Sequence, residues 1–162
     1  MGQLSPAVAV GGDRNRSRPR RLDTCGKRNL TWLGGSMEIA STKTAQLVDD
    51  YYGSWRHGIS SFDDARVRGV LAEDLDFEGP IAGKRRGAAG FVGGLKRFVE
   101  GLQAPIQVLQ QVDSGDQAAV LYDADLPQGT MRFAEFFRVG EGRIQSIKLL
   151  YDAAQYRALG GR

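Results

Sequence analysis

The sequence predicts an α+β domain in which segregated helices cover one face of a curved antiparallel sheet. Two observations carry this. Up to Leu102 the apolar residues recur at three and four, the spacing of amphipathic helices, with one short extended stretch between them. From Ile106 onward the period changes to two, and turn-forming clusters cut the chain into four strands that follow one another as hairpins. Helix, helix, strand, helix and then a strand meander is the order of a sheet with its helices on one side.

Ser41 or Thr42 supplies an N-cap for the first helix, in which Leu47, Tyr51 and Trp55 repeat at four beside Ala45, Val48 and Tyr52. Gly58 is expected to end it, with His57, the chain's only histidine, at the negative end of the helix dipole. Ser60 and Ser61 precede Asp63 and Asp64 at capping-box spacing and open a short second helix with Ala65, Val67, Val70 and Leu71 on its apolar side. The chain then extends through Leu75, Asp76, Phe77 and Glu78 and breaks at Gly79-Pro80. A basic loop, Gly83-Lys84-Arg85-Arg86-Gly87, leads into a third helix in which Ala88, Phe91, Val92, Leu95, Phe98, Val99 and Leu102 recur at three and four. Gly90, Gly93 and Gly94 inside that helix each cost about 1 kcal/mol relative to Ala, which predicts close packing against another backbone. Turns at Ser114-Gly115-Asp116, Pro127-Gln128-Gly129 and Gly140-Glu141-Gly142 then separate the four strands.

Charge divides the chain. Residues 1–36 hold seven Lys or Arg against two acids, a local charge of +5, so the whole-chain value of +3 leaves −2 for residues 37–162. A nucleic-acid-binding domain concentrates positive charge on its folded face, and here the folded part is slightly acidic, so no nucleic-acid partner is expected. Residues 1–36 read as a disordered basic extension, and Met37, where the patterned sequence begins, as the natural start or first residue of a single domain over 37–162. No apolar leader and no run of about eighteen apolar residues is present, so no membrane contact is expected and a cytoplasmic location is. The lone Cys25 lies in the extension, which leaves the domain without a disulfide or a thiol nucleophile.

The chemistry concentrates in the strand from Met131 to Val139. Read two by two, Met131, Phe133, Glu135, Phe137 and Val139 fall on one side, and Arg132, Ala134, Phe136 and Arg138 on the other. Glu135 is thus a single acid on an apolar, aromatic face: either part of a site or a buried acid paired for structural reasons. In the same phase a hairpin about Gly140 to Gly142 puts Ile147, Leu149 and Tyr151 beside Phe133, Glu135 and Phe137, with Val120 and Tyr122 joining them. An apolar pocket with two or three polar groups is the usual make-up of a small-molecule site. Asp123 and Asp125 alternate beside Leu121, but without a histidine or a third clustered carboxylate they read as a solvated strand end, and neither metal nor cofactor is expected. Gly79 to Lys84 is one residue too short for a phosphate-binding loop. The opposite sheet face, with Phe136, Ile144 and Leu150 among Arg132, Arg138 and Lys148, is too apolar to be wholly solvated and predicts a homodimer through the sheet.

The run from Leu71 to Pro80, then Phe136-Phe137-Arg138-Val139 with Gly142-Arg143-Ile144, and finally Tyr151-Asp152 resemble the SnoaL-like and ketosteroid-isomerase-like branch of the nuclear transport factor 2-like superfamily. The resemblance spans residues 42–158 and rests on order and spacing. It implies a cone-shaped barrel, three N-terminal helices curling over a strongly bent sheet around an apolar cavity, and a homodimer. It also implies an oxyanion hole at Tyr51 and Glu135, where an enolate in a dry cavity would meet preorganised donors. The isomerase base would fall on Gly79, which has no side chain, and the adjacent Glu78 points to the other face. The arginine of the epoxide-hydrolase branch would fall on Phe133. The expected function is therefore binding of a small apolar or aromatic molecule, with Tyr52, Trp55, Phe77, Tyr122, Phe133, Phe137, Leu149 and Tyr151 lining the pocket. The alternative is an isomerase- or cyclase-type enzyme that uses Glu135 for proton transfer and Tyr51 as oxyanion donor.

Overall fold

The computed structural model describes residues 34–161, with side chains from 43 onward. The basic extension and Cys25 lie outside the described residues, and Met37 falls within the first helix. Helix α1 (Gly34–Gly53) is followed by a 3-10 turn at Ile59–Ser61, α2 (Asp64–Val70), β1 (Leu71–Gly79), β2 (Gly83–Arg86) and α3 (Ala88–Gly101). Strands β3 (Gln107–Ser114), β4 (Gln117–Leu126), β5 (Gly129–Gly140) and β6 (Arg143–Leu150) complete the sheet, and α4 (Ala153–Ala158) closes the described chain. The six strands run in the order β2-β1-β6-β5-β4-β3. All neighbours are antiparallel except β1 and β6, which are parallel. The sheet stays open, with β2 and β3 at its edges.

The meander follows the sequence period. Along β5, Met131, Phe133, Glu135 and Phe137 are buried while Arg132, Phe136 and Arg138 are exposed, as alternation requires. Glu141 (φ 53°) and Gly142 (φ 72°) make the tight turn into β6 with both central residues left-handed, the backbone that suits the twist of a two-residue hairpin. Inside the bend, Tyr51, Tyr52 and Trp55 at the end of the first helical segment meet Val92, Leu95 and Val99 of α3 and the inner faces of β4, β5 and β6 in one apolar core.

Several expectations need correction. Helix α1 begins at least seven residues before Ser41, so neither Ser41 nor Thr42 caps it, and it stops at Gly53. Ser54 to His57 form a tightened turn in which Gly58 N–H donates to Trp55 C=O, so His57 lies beyond the helix end. Asp63, not a serine, caps α2, its carboxylate accepting from the Arg66 N–H at 2.9 Å. The segment read as a basic loop is strand β2, paired to the β1 edge with Phe77 opposite Arg85; exposed along its whole length, it carries no period of two to read. The α3 glycines touch no neighbouring backbone: a Cβ at Gly90 would meet nothing within 4 Å, and at Gly93 and Gly94 only the Arg97 guanidinium. Ile144, expected on the outer face, is fully buried, because a register shift between Arg138 and Val139 turns the start of β6 over. The fourth helix was not anticipated; Asp152 caps it, accepting from the Ala154 and Gln155 N–H groups at 2.8 Å.

Candidate functional site

Glu135 stands in the middle of β5, opposite Val120 on β4 and Leu149 on β6, with Phe133 and Phe137 two residues either side. Glu135 is 3% exposed, and these neighbours set its carboxyl among hydrocarbon and rings. The polar partners come from α1. The Tyr52 hydroxyl donates a short hydrogen bond to Glu135 Oε2. The Tyr51 hydroxyl reaches Oε1 at 3.5 Å, the outer limit of a hydrogen bond. Adjacent residues on a helix point about 100° apart, so the two hydroxyls approach the carboxyl from different directions.

Burial pushes the Glu135 pKa up from 4.5 to about 7, and the donors Tyr52 and Tyr51 hold it from rising further. Burial, and then the negative charge of Glu135, raise the Tyr51, Tyr52 and Tyr122 hydroxyls well above their usual range. At neutral pH the cluster therefore holds protonated phenols around a carboxyl that is about half ionised. The Trp55 indole N–H is also buried here. It lies near enough to the Tyr51 hydroxyl to favour that group's anion, yet it makes no hydrogen bond of good geometry within the protein.

Rings surround these groups. Tyr52 meets Tyr122 edge-on at 5.8 Å, and Tyr122 stacks on Phe133 at 5.3 Å with the planes 10° apart. Tyr51 touches Phe137 at 5.5 Å and stacks on Phe91 at 6.3 Å. The residues named from sequence thus divide into two groups. Tyr51, Tyr52, Trp55, Tyr122 and Phe137 gather on the Glu135 side, whereas Tyr151 packs against Phe133 and Tyr156 further along. Phe77 meets Phe91 at 4.9 Å and fills the space beside Gly79, where an added Cβ would come within 3.0 Å of its ring. The position at which the isomerase branch needs a base is therefore occupied by an aromatic ring. Glu78 is exposed on the other side, as its phase requires.

Sequence reasoning left three rings out of the site. Phe91 and Phe98 belonged to an evident apolar helix stripe, and their contacts with Tyr51 and Trp55 depend on how α3 crosses α1. Tyr156 had a usable signal, since Asp152 and Gln155 stand at capping-box spacing just before it. Aromatic side chains pack closely against one another in the interior where the cavity is expected. A depression lies on the outside of the sheet, where Glu73 and Asp74 of β1 face Arg138, Glu141 and Arg143 around the β5–β6 turn. Asp123, considered as a metal ligand, instead accepts from Arg132 at 2.8 and 3.0 Å, and Asp125 accepts from Thr130.

Four helices on an open, strongly bent six-stranded sheet place the protein in the NTF2-like fold class. A protein of unknown function from Cytophaga hutchinsonii, described as NTF2-like, superposes with a TM-score of 0.57 at 19% identity, covering 72% of this chain and 94% of its own. A candidate ketosteroid isomerase from Kribbella flavida gives 0.60 at 18% identity, over 69% of this chain and 79% of its own. TerC, co-crystallised with polyporic acid, gives 0.60 at 15% identity, over 72% and 97%. At such identities the likeness is one of fold. Within that class, residues 48–147 match the SnoaL-like domain, and the chain belongs to that family. No curated protein sequence matches it. No helix among the described residues is long and apolar enough to cross a membrane.

Proposed function

We propose that the protein binds a small aromatic molecule bearing an acidic or enolic oxygen, held inside the bend of the sheet against Glu135, Tyr51 and Tyr52. The observation that carries this reading is a titratable carboxyl, buried and raised to about pH 7, with two tyrosine hydroxyls directed at it in an otherwise apolar interior. An acid at this place carries a cost of desolvation that an apolar residue would avoid. Phe91 stacks on Tyr51 and meets Phe77, and both phenylalanines are half-buried, so the reading puts the entry for a ligand beside these two rings. TerC supports the reading by analogy of fold, as a protein of this class crystallised with a small molecule. Calorimetric titration of the full chain with planar phenols of rising acidity tests it. Binding that weakens in Glu135→Ala, Tyr51→Phe and Tyr52→Phe is expected; no binding, or binding indifferent to all three changes, overturns it.

One observation favours a second reading, enzymatic proton transfer. A carboxyl that titrates near neutrality is matched to general acid–base work on an enolisable substrate. The Phe77 ring beside Gly79 weighs against the two-carboxylate isomerase mechanism, so Glu135 would have to act as the sole carboxyl. A bell-shaped pH dependence of turnover that disappears in Glu135→Gln would establish it.

We also infer that two copies pair through the outer face of the sheet. On that face Val112, Ala119 and Phe136 form one cross-strand row, and Leu121, Ala134 and Leu150 the next. Val112, Phe136 and Leu150 are all exposed, at 52, 46 and 57%. A monomeric mass in sedimentation at micromolar concentration would overturn the pairing.

A further inference from the structure

The two edges of the sheet are built differently. β2, at one edge, is four residues long and carries Lys84, Arg85 and Arg86, the short and cationic kind of edge that keeps other strands away. β3, at the other, is eight residues long with Asp113 as its one charged residue, and Val108, Leu109 and Val112 on it are all exposed. Among the described residues no strand pairs with the outer side of β3, so the backbone N–H and C=O groups directed away from β4 have no strand partner. A register shift between Val108 and Gln110 bulges the first part of β3, which protects that part. Beyond the bulge, residues 110–114 run in unbroken register against residues 117–121 of β4. The Thr44 hydroxyl of α1 donates to Gly115 C=O at 2.8 Å and fixes the turn that ends this stretch.

An open strand edge is satisfied by another strand, and this stretch is complementary to itself. In an antiparallel pair centred on Val112, that side chain meets its own copy, Gln110 stands opposite Ser114 on the same face, and Gln111 stands opposite Asp113 on the other. Apolar meets apolar and amide meets hydroxyl or carboxylate. We propose that residues 110–114 of two copies pair as antiparallel strands about a two-fold axis at Val112, a second contact between copies that is separate from the face pairing inferred above. The contact is isologous, so one copy's edge supplies all that its partner's edge needs. It is also small, and its backbone groups exchange water for one another at little net gain, so it forms at higher concentration than the face pairing.

The test reads β3 itself. Amide hydrogen exchange of the full chain, resolved over residues 107–114, is compared at micromolar and near-millimolar protein. The outward amides of residues 110–114 are expected to exchange roughly threefold more slowly at the higher concentration, as a weak, small strand pairing requires. Amides of β5, in the middle of the sheet, should not change. Val112→Lys places like charges opposite one another at the axis and should abolish the effect without moving the urea midpoint, because the site is exposed. Phe136→Asp, which is directed at the face pairing, should keep the effect, and its sedimentation mass should rise from monomer towards dimer over the same range. Exchange that is equally fast or equally slow at both concentrations overturns the pairing, the edge then being open or covered by its own chain. Loss of the effect in Phe136→Asp assigns it to the face pairing and overturns the edge contact alone. Its survival in Val112→Lys overturns the edge contact as well.

Discussion

Phe133 and Phe136 lie three residues apart on the same strand, yet they belong to different environments. Phe133 is 2% exposed, stacked on Tyr122 and touched by Phe98, Tyr151 and Tyr156; Phe136 is 46% exposed on the far face, beside Ala119 and Lys148. The acids and bases divide in the same way. On the outer face Arg132 and Asp123 pair across the strands in contact with water, where the carboxylate keeps a lowered pKa. On the inner face Glu135 has neutral hydroxyls for partners and its pKa is raised. The difference teaches that the pleat decides the chemistry of this sheet: one strand offers a carboxyl held near neutrality to the interior and ordinary ion pairs to solvent.

The largest break in this contrast comes from size. Phe133→Ala should cost about 3–5 kcal/mol, a transfer loss plus a cavity among the rings, whereas Phe136→Ala should stay within about 0.5 kcal/mol in a dilute monomer. Urea unfolding of both variants at one pH measures the ratio. Next comes charge. Between pH 4.5 and about 7 the folded chain keeps a proton on Glu135 that the unfolded chain has lost, so stability falls as pH rises through this window and levels off above it. Glu135→Gln should therefore match wild type near pH 4 and exceed it by about 3 kcal/mol above pH 7, the free-energy equivalent of the raised pKa. A difference between the two proteins that does not change from pH 4 to 8 would show that Glu135 titrates normally.

Smaller effects sharpen the picture inside the cluster. Tyr52→Phe removes the better donor and should cost about 1–3 kcal/mol at pH 8 while raising the Glu135 pKa further; Tyr51→Phe should do less of both, because its contact is long. Carbon-13 NMR of the Glu135 carboxyl in the two variants ranks them. The smallest change in folding is expected from Phe136→Asp on the outer face, which should leave the dilute protein's midpoint nearly unchanged and convert a dimeric sedimentation mass to a monomeric one. A dimer that survives this substitution would move the interface away from the sheet.

Much of the site was legible because local period and burial coincide in the meander. Alternation in Met131-Arg132-Phe133-Ala134-Glu135-Phe136-Phe137 is enough to turn Glu135 inward once one face of the sheet is covered, and the observed register agrees with it residue by residue. The helical half was harder to read. Tyr51 and Tyr52 are both apolar-stripe residues, and nothing local distinguishes the hydroxyl that binds Glu135 tightly from the one that stands off. The α3 glycines had a plausible packing role that depended on a neighbour that is not there.

The sequence by itself determined the α+β class, the four meander strands, the inward phase of Glu135 and the gap at Gly79, because each follows from periodicities of two and 3.6 residues or from the lack of a side chain. Only the tertiary structure decided the rest. The parallel pairing of β1 with β6, the bulge that buries Ile144 and the rise of the Glu135 pKa all depend on residues brought together from distant parts of the chain. Desolvation and hydrogen-bond geometry are properties of what surrounds a group in space, and a strand's period states only which way the group points.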